Sequence, residues 1–85
     1  MSQAKKALDD VLSGRRDQTI RFETLTTILT RMGFAMRIKG SHRVFSHPNI
    51  EEIVNLQPRS DGTAKPYQVK QVRELITTYQ LGFDE

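Results

Sequence analysis

The sequence predicts a small α+β protein, a two-layer sandwich in which helices cover one face of a three-stranded antiparallel sheet. Apolar residues recur at helical spacing in three segments, near residues 3–12, 22–32 and 66–81. Between the second and third segments, three short runs rich in β-branched and aromatic residues are separated by turn signals. The predicted order is therefore α-α-β-β-β-α, and 85 residues are enough for a single core of this kind.

Composition limits the classes of function. The chain has no cysteine, which excludes a disulfide framework and a thiolate metal site. No run approaches the roughly 20 apolar residues of a membrane span, so we expect a soluble, cytoplasmic protein with no membrane partner. The net charge of +3 favours a polyanionic partner. The segment from Arg31 to Arg43 holds basic residues and no acidic one, whereas acidic residues form adjacent pairs at 9–10, 51–52 and 84–85.

The first helix is predicted over residues 3–12, with Ser2 as a possible cap and Gly14 beyond its end. Its apolar stripe consists of Ala4, Ala7, Leu8, Val11 and Leu12. This stripe is too small to form a domain by itself. We therefore expect residues 1–18 to be a helical extension that packs on the body of the protein, on a second copy of the chain or on a partner protein, and packing on the body is favoured.

The second helix is predicted over residues 22–32, with Glu23 in its first turn, where the helix dipole favours a negative charge. Its buried stripe is expected to be Phe22, Leu25, Ile28, Leu29 and Met32. Gly33 suits a left-handed C-terminal cap, and Phe34 can then fold back onto the apolar face.

A hairpin is predicted next, with its turn at Gly40-Ser41. Residues 34–39 alternate between apolar and polar or small side chains, and Arg43-Val44-Phe45 is strand-like. After a turn at His47-Pro48-Asn49, residues 51–57 form the third predicted strand of the meander.

The last helix is predicted from Pro66 to about Leu81, with a buried stripe of Val69, Val72, Leu75, Ile76 and Tyr79. Lys70 and Arg73 are expected on the side away from that stripe. Lys65 precedes the helix and is well placed for a phosphate at the helix N-terminus. Tyr67 either stacks on a base or covers the edge of the core, and the core position is favoured.

His42 is the candidate for chemistry, because histidine titrates near neutral pH and can accept or donate a proton. Lys39 and Arg43 flank it in the sequence with charges that can hold a phosphate, which suggests work on a phosphodiester. The alternative is a polar surface histidine at a hairpin turn. His47 is rejected as a second proton carrier, because five strand residues separate the pair by about 16 Å and direct them to opposite faces.

The sequence resembles the HicA family of toxins from bacterial toxin-antitoxin pairs over about residues 20–82. The matching features are a helix ending in Gly33-Phe34, a basic strand, and three motifs in order. The motifs are Lys39-Gly40-Ser41-His42, Ile53-Val54-Asn55-Leu56 and Lys65-Pro66-Tyr67-Gln68-Val69. The resemblance implies a HicA-like domain over residues 19–85, with a fold similar to a double-stranded RNA-binding domain. The departure is the helix of residues 3–12, which the shortest family members lack.

The resemblance also implies a ribonuclease that cleaves messenger RNA, with His42 as the catalytic residue, and a cognate HicB-type antitoxin as the partner. The residues expected to bind RNA are Arg37, Lys39, Ser41, Arg43, Lys65 and Lys70. We expect no cofactor and no metal, since the paired carboxylates do not suggest a magnesium site. Two alternatives are a non-catalytic RNA-binding module of the same fold and an interaction protein that binds an acidic partner.

Overall fold

The computed structural model describes residues 3–83, and the proposed cap at Ser2 and the acidic pair at 84–85 lie outside this range. The element order confirms the predicted α+β layout. The elements are α1 (Gln3–Ser13), α2 (Phe22–Arg31), β1 (Ala35–Lys39), β2 (His42–His47), β3 (Ile50–Leu56) and α3 (Pro66–Tyr79).

The sheet is an antiparallel meander in the order β1-β2-β3. Phe45, Val54 and Leu56 are fully buried, which defines the face covered by the helices. We call the other side the open face. Residues directly opposite one another on paired strands share a face, so the pairing Lys39↔His42 places both of these residues together.

The helices form the second layer and enclose one core with the covered face of the sheet. All five residues of the predicted α2 stripe are buried, and so is Phe34. Gly33 has the positive φ of 96° that its capping role requires. The stripe of α3 is confirmed except for Tyr79, which is 37% exposed.

Tyr79 instead donates a 2.6 Å hydrogen bond from its hydroxyl to Glu52 Oε1 of β3, and this bond raises the pKa of the tyrosine. The helix ends at this residue rather than near Leu81, because Gln80 adopts a left-handed conformation. The bond joins the end of α3 to β3.

The extension packs on the body, as expected, because Val11 of α1 is fully buried in the common core. Arg73 of α3 donates to the Val11 carbonyl oxygen at 3.1 Å and to both carboxylate oxygens of Asp17, at 2.9 and 3.2 Å. The expectation that Arg73 lies on the solvent side of α3 is therefore wrong. Its guanidinium is largely buried and fastens α1 and the following loop to α3.

None of the helices within residues 3–83 is long and apolar enough to cross a membrane.

Candidate functional site on the open face of the sheet

The hairpin turn determines which residues meet at the candidate site. Gly40 has φ = 63°, and a glycine with positive φ at the first position of a two-residue loop matches the twist of the flanking strands. The loop is closed by the pair Lys39↔His42. Side chains in such a pair have Cβ atoms about 4.5–5.5 Å apart, so the Lys39 stem and the imidazole are neighbours.

His42 is half-buried on the open face and makes one side-chain hydrogen bond. Its Nδ1 lies 2.8 Å from Oδ1 of Asn55 on β3. Nε2 has no hydrogen-bond partner within residues 3–83. The ring is therefore held at one nitrogen, and the other is available to a ligand.

Ser41 belongs to a second polar chain beside the histidine. Gln57 Nε2 donates to Ser41 Oγ at 3.0 Å, and Lys65 Nζ donates to Gln57 Oε1 at 3.4 Å. Because the Ser41 oxygen accepts from Gln57, its own hydroxyl proton is available to an incoming oxygen atom. The chain links the hairpin turn to the start of α3.

The backbone of Gln57 is held on the helix side by the buried side chain of Gln68 on α3. With its carboxamide oriented to pair with the strand, Gln68 donates to the Gln57 carbonyl and accepts from the Gln57 N–H, both at 3.2 Å. The Gln68 amide thus satisfies both the N–H and the carbonyl of Gln57, in the way that a neighbouring strand would, just beyond the end of β3.

The predicted basic residues divide between the two faces. Arg37 and Lys39 are exposed on the open face, because they pair with Val44 and His42. Arg43 is different: it pairs with Leu56 on the covered face, packs over the Phe22 ring at 5.2 Å, and lies 3.3 Å from Glu23. The structure therefore does not bring Arg43 beside the His42 ring. Its role in RNA binding stays a prediction, one that requires the Glu23 pair to open.

The first turns of α3 present Lys65, Tyr67 and Lys70 to the surface. Lys70 is exposed and Lys65 is half-buried. Tyr67 is 65% exposed, so the expectation that it covers the core edge is wrong. Positions three apart lie on one side of a helix, so Tyr67 and Lys70 form one surface.

His47 lies at the other end of β2 and on the covered side. Its ring packs edge-on against Phe34 with centroids 5.0 Å apart, and its Nδ1 accepts from the Asn49 N–H at 3.1 Å. This placement agrees with the argument from strand alternation that separated the two histidines.

Asn55 and Gln57 are the site residues that the sequence argument missed. Asparagine is uncommon in strands, and Asn55 alternates with the buried residues Val54 and Leu56. That phase alone places it on the open face. The pairing register between β2 and β3 was the missing information, because it decides which residue of β2 lies near Asn55.

No group of three or more His, Asp or Glu side chains within residues 3–83 is arranged to hold a metal ion.

The fold and site define a small α+β domain whose open sheet face carries the cations Arg37 and Lys39 and the hydrogen-bonded His42. A family model described as HicA toxin of bacterial toxin-antitoxin matches residues 22–77, more than half of the chain. The chain therefore belongs to the HicA family, whose members are toxins of toxin-antitoxin systems. The match begins after α1. Searches of curated proteins and of solved structures find no match.

Proposed function

We propose that the chain is an endoribonuclease toxin that cleaves messenger RNA in the cytoplasm without a metal, with His42 as its catalytic residue. Membership of the HicA family supports the toxin role. The observation that carries the proposal is the His42 ring, which is held at Nδ1 by Asn55 while Nε2, on a cationic face, has no hydrogen-bond partner among residues 3–83.

In the proposed reaction the nucleophile is the 2′-hydroxyl of the RNA itself, and His42 acts as the base. His42 Nε2 accepts the proton of the 2′-hydroxyl, O2′ forms a bond to phosphorus, and the bond from phosphorus to O5′ breaks. The departing O5′ takes a proton, and the products are a 2′,3′-cyclic phosphate and a 5′-hydroxyl. With a single histidine on the open face of the described sheet, His42 must serve both proton transfers or share the second with water.

Charge stabilisation is assigned to the residues beside the histidine. Lys39 lies opposite His42, and Arg37 is the preceding residue of β1 on the same face. Their positive charges offset the negative charge of the phosphorane oxygens. The free hydroxyl proton of Ser41 can donate to one of these oxygens. We assign Lys65 and Lys70 to phosphates further along the RNA, as in double-stranded RNA-binding domains, whose fold we propose for this chain.

A cognate HicB-type antitoxin is proposed to inhibit the toxin by covering His42 and the basic strand β1. All five residues of β1 are exposed, and the strand forms an edge of the sheet. An uncovered edge strand is a ready surface for a protein partner. Growth arrest on induced expression, relieved by co-expression of a cognate HicB-type protein, is the expected result.

The first prediction is that His42→Ala abolishes cleavage but leaves the fold and RNA affinity nearly unchanged. Loss of a general base or acid costs about 10² to 10⁴ in rate, and more when one residue serves both steps. The cations that bind phosphate remain. The measurement is a time course on a defined RNA with EDTA present, with analysis of the product ends for wild type and variant.

His47→Ala is the matched control, because it removes the other histidine from the covered side of the same strand. It should retain cleavage. Undiminished cleavage by folded His42→Ala protein would falsify the catalytic assignment. If pure wild-type protein binds RNA but does not cleave it, the chain is instead a non-catalytic RNA-binding module. Within residues 3–83 the open face has two cations but a single histidine, which favours this as the second candidate.

A further inference from the structure

We infer that Asn55 is a positioning residue that holds the neutral His42 ring with its proton on Nδ1. Nε2 is then unprotonated and lies on the open face as a proton acceptor. The inference rests on the proposed ribonuclease function and adds to it the residue that sets the direction of the first proton transfer.

The tautomer follows from the chemistry of the two atoms in contact. The atom 2.8 Å from His42 Nδ1 is the carbonyl oxygen Oδ1 of Asn55, which can only accept a hydrogen bond. With the Asn55 amide in this orientation, Nδ1 is the atom that carries the proton. In a neutral imidazole the other nitrogen, Nε2, then has the lone pair. A free neutral imidazole side chain favours the opposite form, so the protein imposes this one.

The sheet holds the Asn55 side chain in place. Asn55 is paired with Val44, the next residue of β2 on the same face as His42. The amide and the imidazole are thus diagonal neighbours on adjacent strands, a spacing that long side chains span. The contact depends on strand pairing and not on a flexible loop.

The second histidine of the chain is held in the opposite way. His47 Nδ1 accepts the backbone N–H of Asn49 at 3.1 Å, so a neutral His47 ring must carry its proton on Nε2. The sequence contains two histidines. The two histidines of β2 therefore have opposite tautomers. Of the two, His42 is the one with an unprotonated nitrogen on the open face.

The tautomer also fits the proposed reaction. When Nε2 accepts the 2′-hydroxyl proton, the ring becomes an imidazolium whose Nδ1–H is still bonded to Asn55. The hydrogen bond is present before and after transfer, so it need not rearrange during the step. With the opposite tautomer, Nε2 would already carry a proton and could not act as the base.

The direct test is nitrogen-15 NMR of the two imidazole rings at a pH above the titration of both. We expect wild-type protein to show His42 protonated on Nδ1 and His47 on Nε2. Asn55→Leu, which removes the acceptor but keeps the side-chain size, should convert His42 mainly to the Nε2–H form. Asn55→Asp, which keeps an acceptor oxygen, should retain Nδ1–H. The His47 signals should be unchanged in both variants, which also verifies the fold of β2.

A wild-type His42 ring protonated on Nε2 would overturn the inference, and so would an Asn55→Leu spectrum identical to that of wild type. Neither result depends on enzymatic activity. Failure of the tautomer assignment is therefore separable from failure of the proposed ribonuclease function.

Kinetics test the catalytic consequence. Asn55→Leu should cleave RNA about 10 to 100 times more slowly, by analogy with the loss of the outer partner that orients a metal-bound histidine, with the RNA dissociation constant unchanged. Asn55→Asp keeps an acceptor oxygen for Nδ1–H, so it should lose less rate than Asn55→Leu. Unchanged cleavage by Asn55→Leu, or a slower rate explained by weaker binding, would contradict the positioning role. Absence of cleavage by wild-type protein would contradict the proposed function and leave the NMR result to decide the tautomer.

Discussion

At the residue scale, two positions have a left-handed backbone conformation, and substitutions there test how residue type affects stability. Gln80 ends α3 with φ = 52° and ψ = 49°, a left-handed conformation that disfavours residues with a Cβ atom. Gly40 has a similar φ of 63° in the hairpin turn. Glycine at position 40 is suited to this conformation, whereas glutamine at position 80 is not.

Exchanging the residue type at these two positions should change stability in opposite directions. Gln80→Gly should raise the free energy of unfolding by about 0.5–1 kcal/mol, because glycine is not strained in this region. Gly40→Ala should lower it by about 1 kcal/mol through backbone strain alone, since an added Cβ meets no atom within 4 Å. Urea unfolding of both variants measures the effects, and a shift of the same sign in both would contradict the argument.

For individual residues, the sequence predicted the face of the sheet on which a side chain lies more reliably than the residue with which that side chain pairs. Alternation along β2 separated His42 from His47, because the side-chain period of two is a local property. Arg43 was expected to hold a phosphate beside His42, and Arg73 was expected on the side of α3 away from the apolar stripe. Their actual neighbours, Glu23 and Asp17, lie far away along the chain. Only the assembled tertiary structure brings these partners together.

At the scale of elements, the helices and the hairpin could be predicted because each has a local signal. Gly33 and Gly40 end elements through their positive φ, and Pro66 begins α3. The end of α3 was placed too late because Gln80 gives no such signal. Local rules also left the docking of α1 open, since an amphipathic stripe requires a partner but does not name it.

The docking of α1 depends on the ion pair between Arg73 and Asp17. We predict that Asp17→Asn lowers the free energy of unfolding by about 1–3 kcal/mol, because a largely buried guanidinium loses its bidentate charged partner. Glu23→Gln is the control. It weakens the Arg43 pair, in which Glu23 is 70% exposed, and should cost less than about 1 kcal/mol. Thermal or urea unfolding measures both, and equal effects would rule out a special role for Arg73.

At the scale of the whole molecule, the two layers have different tasks. The helix layer buries the apolar residues, and it also pairs two of the arginines with acidic side chains. On the sheet side, Arg37 and Lys39 have no ion pair within residues 3–83. The exposed side chains of Arg37 and Lys39 therefore create a local field that attracts a polyanion to the open face.

This arrangement predicts electrostatic binding of RNA through the open face. If four to six phosphates are contacted, the logarithm of the binding constant should fall with the logarithm of salt concentration with a slope of about −3 to −5. Candidate contacts are Arg37, Lys39, Lys65 and Lys70, the exposed Arg59 of the loop between β3 and α3, and Arg43 if its pair opens. Fluorescence anisotropy with a labelled RNA, at several salt concentrations and with inactive His42→Ala protein, gives the slope.

Two substitutions of equal charge change separate a local contact from the effect of net charge. Lys39→Gln removes a cation opposite His42, so the slope should become shallower by about 1. Arg16→Gln removes a cation from the exposed loop between α1 and α2, which holds none of the candidate contacts, and should leave the slope unchanged. Equal changes in both variants would show that net charge, not the open face, governs binding. A slope near zero for His42→Ala protein would contradict polyanion binding altogether.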